Sequence, residues 1–137
     1  MKRNIFLTIA LILTTILTYQ CKCDRHSNKK VTISGQFLYS KGETLYIEQI
    51  NPYENILLDS VIIKESGNFS FSIKPEEATF IVLRTTKQNS INLLVEHKEN
   101  IQLSGDIRSL PATYTVNGSP GSLLLQELHK NTFQNYI

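Results

Sequence analysis

The sequence predicts an all-β fold: an antiparallel β-sandwich of about eight strands, with an N-terminal signal helix and a short C-terminal helix. Three observations carry this reading. Between Val31 and Val116 apolar residues recur with a period of two, clearest where Phe69, Phe71 and Ile73 alternate with Ser70, Ser72 and Lys74. Clusters of Gly, Pro, Asn and Ser interrupt the pattern at intervals of about 8 to 12 residues. The segments between them are rich in β-branched and aromatic residues, which strands favour.

The chain opens differently. Lys2 and Arg3 precede an apolar run, Ile5 to Leu17, interrupted only by Thr8, Thr14 and Thr15, and polar Tyr19-Gln20-Cys21 follows. This is the three-part grammar of an export signal. As a helix of about 13 residues the run rises only about 20 Å, short of the roughly 30 Å of bilayer hydrocarbon. Residues 1–20 therefore read as a signal peptide that is removed. Cys21 then matches the cysteine that bacterial lipoprotein signals present for acylation, although Gln20 is bulkier than the usual Gly or Ala before it. A plain cleaved signal and a retained membrane anchor are the other readings. Two or three acyl chains, at about 0.8 kcal/mol per buried CH₂, would hold Cys21 on a membrane. The address that follows is the cell envelope, with an outer membrane facing the periplasm as the expected site.

Residues 21–30 are polar and lack apolar periodicity, as a tether would. Cys23 lies there beside Lys22 and Arg25, cations that lower a thiol pKa, yet an inert tether cysteine is the simpler reading. Cys21-Lys22-Cys23 with His26 lacks the four ligands of a structural zinc, so no metal is expected. The whole chain has 14 basic and 12 acidic residues. Lys2 and Arg3 leave with the signal, so the remainder is balanced, and without a basic stripe nucleic acid is not an expected partner.

The sandwich is expected over residues 31–118. Ile33 and Phe37, then Leu45 and Ile47, mark two strands flanking Ser40-Lys41-Gly42, which predicts a hairpin. Asn51 to Asn55 is a loop. Ile56 to Lys64 is apolar on both alternating faces and is expected to be central or covered on both sides. Glu65-Ser66-Gly67-Asn68 supplies a turn, so this strand and Phe69–Ile73 are expected to pair as a second hairpin. Pro75 ends that run, and Thr79 to Thr85, Ile91 to Val95, Ile101 to Leu103 and Thr113 to Val116 complete the strands, the last after a loop containing Pro111. Residues 119–137 form the helix. Ser119 is its N-cap, Pro120 takes the first helical position, and Leu124, Leu125 and Leu128 recur at helical spacing. The helix meets Ile137 without a cap, as the start of a truncated linker to a missing domain would.

Candidate site residues are few. Tyr39, Tyr46 and Tyr53 are the only aromatics suited to a ligand-binding sheet face. Asp59 shares a face with Leu57, Val61 and Ile63, where a carboxylate either meets a ligand or accepts backbone N–H groups; the second reading is favoured. His97, between Glu96 and Lys98, reads as a solvated loop residue. Ser60, Ser70 and Ser119 lack the context of a nucleophile elbow, and Asn68-Phe69-Ser70 is a glycosylation acceptor in form only. No catalytic residue and no cofactor are expected.

Leu57-Leu58-Asp59-Ser60-Val61, Gly67-Asn68-Phe69-Ser70-Phe71, Gly35, Leu45-Tyr46-Ile47 and Tyr114-Thr115-Val116-Asn117-Gly118-Ser119 together resemble an N-terminal β-sandwich domain of unknown function, the type numbered 4369, in exported Bacteroidetes lipoproteins. In that family the domain usually precedes a thioredoxin-like thiol-disulfide oxidoreductase. The sequence has no Cys-x-x-Cys, so that activity has no residue to fall on. The resemblance implies a non-enzymatic accessory module on a membrane, without the enzyme it normally accompanies, and a thioredoxin-like protein in the envelope as its expected partner. A glycan- or peptide-binding envelope lipoprotein and a truncated thiol-disulfide oxidoreductase are the alternatives.

Overall fold

The computed structural model describes residues 29–134, and the signal segment, Cys21, Cys23, most of the tether and the last three residues lie outside them. The described strands are β1 (Val31–Leu38), β2 (Thr44–Gln49), β3 (Ile56–Ile62), β4 (Asn68–Ile73), β5 (Thr79–Arg84), β6 (Ser90–Val95), β7 (Asn100–Asp106) and β8 (Thr115–Asn117). A 3₁₀ turn (Ile107–Ser109) and helix α1 (Leu110–Thr113) separate β7 from β8, and helix α2 (Pro120–Gln134) follows. The strands form two four-stranded sheets, ordered β4-β1-β7-β8 and β3-β2-β5-β6. The all-β sandwich is therefore observed.

Alternation decides which side chains meet between the sheets. Ile33, Phe37, Phe69, Phe71, Ile101, Leu103 and Val116 come from the first sheet, and Leu45, Ile47, Ile81, Leu83, Ile91, Leu93 and Val95 from the second; all are buried in one core. Phe37 and Phe69 stack with ring centroids 4.7 Å apart, an arrangement that adds about 0.5–1.5 kcal/mol beyond burial. Ile107, Leu110 and Tyr114 bring the 3₁₀ turn and α1 into the same core.

Strand partnering differs from the sequence expectation. β1 pairs with β4 and in parallel with β7, while β2 pairs with β3 and β5, so neither expected hairpin forms. The turn residues make corners between sheets instead. Ser40 Oγ donates to Phe37 O at 2.7 Å, Gly42 N donates to Ile63 O at 2.9 Å, and Ile63 N donates to Glu43 O at 2.9 Å. Phe37 N donates to Gly67 O at 3.0 Å, so the corner after β1 and the corner after β3 are tied to each other. The parallel pairing is close: a Cβ on Gly35 would lie 1.9 Å from Leu103 O.

β3 is the second correction. It is an edge strand, exposed along nearly all its length, not a covered one. Its mixed apolar pattern arises because one register irregularity, between Ile47 and Glu48 on β2, leaves Leu58 bulged. Pro111 also sits within α1, not in an irregular loop, and β8 starts at Thr115.

α2 begins as expected, with Ser122 N donating to Ser119 Oγ at 3.3 Å. Its packing face is polar. Ser122 and Gln126 are buried, Leu125 is half-buried, and Leu124 and Leu128 are exposed. The reason is the edge of β6: Ser122 Oγ donates to Leu94 O at 2.8 Å, accepts from Leu94 N at 3.1 Å, and Ser119 Oγ also donates to Leu94 O at 3.0 Å. The helix completes hydrogen bonds that an edge strand lacks. Gly118, at φ +82, lets the chain enter α2 with its Cα hydrogen where a Cβ would meet Asn100 O at 2.0 Å.

Candidate functional site

On β2, Leu45 and Ile47 point into the core, so Tyr46 and Glu48 occupy the outer face of the second sheet. Register places Arg84 and Ser60 beside Tyr46, and Val82 and Leu57 beside Glu48. Arg84 donates to Glu48 Oε1 through Nε at 3.0 Å and through Nη2, and Asn55 Nδ2 reaches Glu48 Oε2 at 3.4 Å. The Glu48 side chain is only 12% exposed and that of Arg84 25%. The Arg84 guanidinium also lies 4.9 Å from the Tyr46 ring centroid, a cation–π contact.

These contacts set the electrostatics. The Arg84 hydrogen bonds hold the Glu48 carboxyl below the ordinary carboxylate value, against a smaller upward push from burial. Glu48 in turn raises Arg84. A depression of about 470 Å³ is lined by this pair with Asn55, Val82, Lys87 and Ser90. Carboxylate and guanidinium are committed to each other there, so the arrangement suits hydrogen-bonded recognition more than proton transfer.

Around the polar centre the surface turns apolar. Ile50, Tyr53, Ile56, Leu57, Leu58 and Ile62, all within 50–62, are exposed, and Phe80 is exposed on β5. The edges of the sheets contrast in how they are protected. β6 is capped by α2, β8 is three residues long, and β4 presents Asn68, Ser70 and Ser72. β3, seven residues long, carries apolar side chains on its open edge. Its protection is Asp59, whose Oδ1 accepts the Ser60 N–H at 2.7 Å.

Three of the residues singled out from sequence, Tyr46, Tyr53 and Asp59, thus share the β2–β3 hairpin. Tyr53 stands at its tip, almost fully exposed. Asp59 is exposed and accepts a backbone N–H, the structural alternative. Tyr39 is elsewhere: it follows β1 in a left-handed conformation, φ +57, with the Arg108 guanidinium 3.7 Å from its ring centroid. The tyrosines therefore sit on separate elements. His97 lies in the turn between β6 and β7, as expected, but it is half-buried and not solvated, with Nε2 sealed from solvent and without a hydrogen-bond partner. Among the described residues no group of three His, Cys, Asp or Glu could hold a metal ion, and no helix is long and apolar enough to cross a membrane.

Glu48 and Arg84 were not evident as a pair in the sequence. Both occupy the off-core positions of their alternating strands, which is the available signal, but the β2–β5 register is needed to join them.

The profile of one family, described as Domain of unknown function (DUF4369), matches residues 31–123. The chain belongs to this family. The match runs from the first residue of β1 into the first turn of α2, so the DUF4369 domain here comprises both sheets and the helix start that caps β6. The β2–β3 hairpin and the Glu48–Arg84 pair lie wholly inside it. No curated protein matches the chain.

Proposed function

We infer that this DUF4369 chain is an exported, lipid-anchored accessory module that acts through protein contacts, without catalysis of its own. The observation that carries the reading is the bare β3 edge with its exposed apolar side chains. An open edge offers backbone donors and acceptors to an added strand, and exposed Leu57, Leu58 and Ile62 offer apolar area, the two ingredients of strand addition. Lys2, Arg3, the apolar run and Cys21 supply the anchor, and the resemblance to lipoproteins with a thioredoxin-like domain suggests a partner of that type in the envelope. A glycan platform has less support, because Arg84 occupies one face of Tyr46.

The test has two arms in cells expressing the full chain. An alkyne-palmitate label should appear on the wild type and vanish in Cys21→Ser. A photo-crosslinking residue replacing Leu57 should trap a protein that the same residue replacing Ser72, on the polar β4 edge, does not. No label at Cys21 refutes the anchor. Equal trapping at both edges refutes the β3 contact.

A further inference from the structure

A second concavity, separate from the β2–β3 hairpin, has a volume of about 570 Å³, within the range of small-molecule sites. Three elements wall it: the β5–β6 turn (Gln88, Asn89), the 3₁₀ turn with α1 (Arg108, Ser109, Pro111, Ala112) and the second half of α2 (His129, Lys130). None of these lining residues is acidic, and three can carry positive charge.

The walls are tied together before any ligand arrives. Asn89 Nδ2 donates to Thr85 Oγ1 at 2.9 Å and to Ile107 O at 2.5 Å, while its Oδ1 accepts Leu110 N at 2.8 Å. Thr113 Oγ1 accepts Asp106 N at 3.0 Å and donates to Ser109 O at 2.8 Å. Arg108 is held in orientation by two neighbours. Asp106 takes its Nε at 2.9 Å and its Nη2 at 2.6 Å, and the Tyr39 ring covers its plane. This leaves Nη1 outside the Asp106 pair. Tyr39 holds that stacking position in a left-handed conformation unusual for a residue with a side chain, and such backbone concentrates at functional sites.

We propose that this cleft binds a small carboxylate with an apolar body, its carboxylate held by Arg108 and Lys130 and its apolar part against Pro111 and Ala112. A guanidinium fixed in orientation gives directional carboxylate recognition, and a nearby ammonium adds charge. The same chemistry is offered by a free organic acid and by the C-terminal carboxylate of a peptide.

The experiment follows backbone amide shifts of Gln88, Asn89 and Ser109 in the full chain held in detergent micelles. The probes are pentanoate and acetyl-Ala-Ala-Phe with a free carboxylate; pentanamide and the same peptide as its amide are the neutral controls. Saturable shifts are expected from at least one carboxylate and from neither neutral control. Arg108→Gln and Lys130→Gln should each weaken binding about 10-fold with the fold intact, since both side chains are largely solvent-facing. Tighter binding of the peptide identifies a chain terminus as the ligand, and tighter binding of pentanoate a free acid. The proposal is overturned if neither carboxylate gives a saturable shift up to about 10 mM, if the neutral controls bind equally, or if Arg108→Gln binds as wild type. Wild-type binding by Lys130→Gln would likewise overturn the two-cation contact.

Discussion

Replacing Ser122 with alanine removes a hydroxyl from a fully buried site without adding bulk. It deletes the acceptor for Leu94 N and one of two donors to Leu94 O, while Ser119 still serves the carbonyl. A covered N–H left without a partner costs about 1–3 kcal/mol. The expected destabilisation is therefore about 2 kcal/mol, which for a domain of this size lowers the melting temperature by roughly 9 °C. Urea unfolding followed by circular dichroism measures the first quantity, and amide exchange at Leu94 localises it: protection there should fall more than at Leu93. Ser104→Ala is the control, since Ser104 Oγ meets Thr115 Oγ1 at 2.6 Å on an exposed surface and should change stability by no more than about 0.5 kcal/mol. A Ser122→Ala variant as stable as the control, with Leu94 protection unchanged, would refute the idea that α2 serves as the missing neighbour of β6.

Gly35→Ala should destabilise by about 3 kcal/mol, because its Cβ cannot fit 1.9 Å from Leu103 O unless β1 and β7 separate; loss of amide shift dispersion at Leu103 would report it. Glu48 governs part of the acid response. Its carboxyl is depressed in the folded state, so its contribution is complete above the ordinary value of 4.5 and is lost as pH falls through the folded value. Urea midpoints at pH 7 and pH 3 should therefore differ less in Glu48→Gln than in wild type. Glu48→Ala, which strands Arg84, should cost about 1.5–3 kcal/mol at pH 7. Asp59→Ala uncovers the Ser60 N–H and removes the only charge on β3; sedimentation velocity should show concentration-dependent association absent from wild type, with monomer stability within about 0.5 kcal/mol.

Strand positions were legible because a buried face imposes a period of two, and Phe69, Phe71, Ile91, Leu93, Ile101 and Leu103 obey it. Partners were not, because the same Gly- and Ser-rich residues build a hairpin or a corner. Ser40-Lys41-Gly42 makes a corner only because Ile63, distant in sequence, supplies its hydrogen bonds. Apolar content misled at β3, where Leu57 and Ile62 face solvent; at α2 the leucine spacing located the helix, while hydrogen bonding at Leu94 decides that Ser122 is buried and Leu124 and Leu128 are exposed. The pairs Glu48–Arg84 and Tyr39–Arg108 join residues from different strands or from a strand end and a later turn, so no local motif announces them.

The parallel contact between β1 and β7 fixes the order in which this domain can assemble. β1 is the first of the described strands to be made, yet one of its neighbours spans Asn100–Asp106. Closing so long a loop costs entropy before contacts compensate, and pairings distant along the chain slow folding. The second sheet, built from the β2–β3 and β5–β6 hairpins, can form from local pieces, whereas the first must wait. As the chain emerges from the ribosome, Phe37, Phe69 and Phe71 remain without a complete sheet until β7 has appeared. The first sheet therefore closes late, after β7 has joined β1.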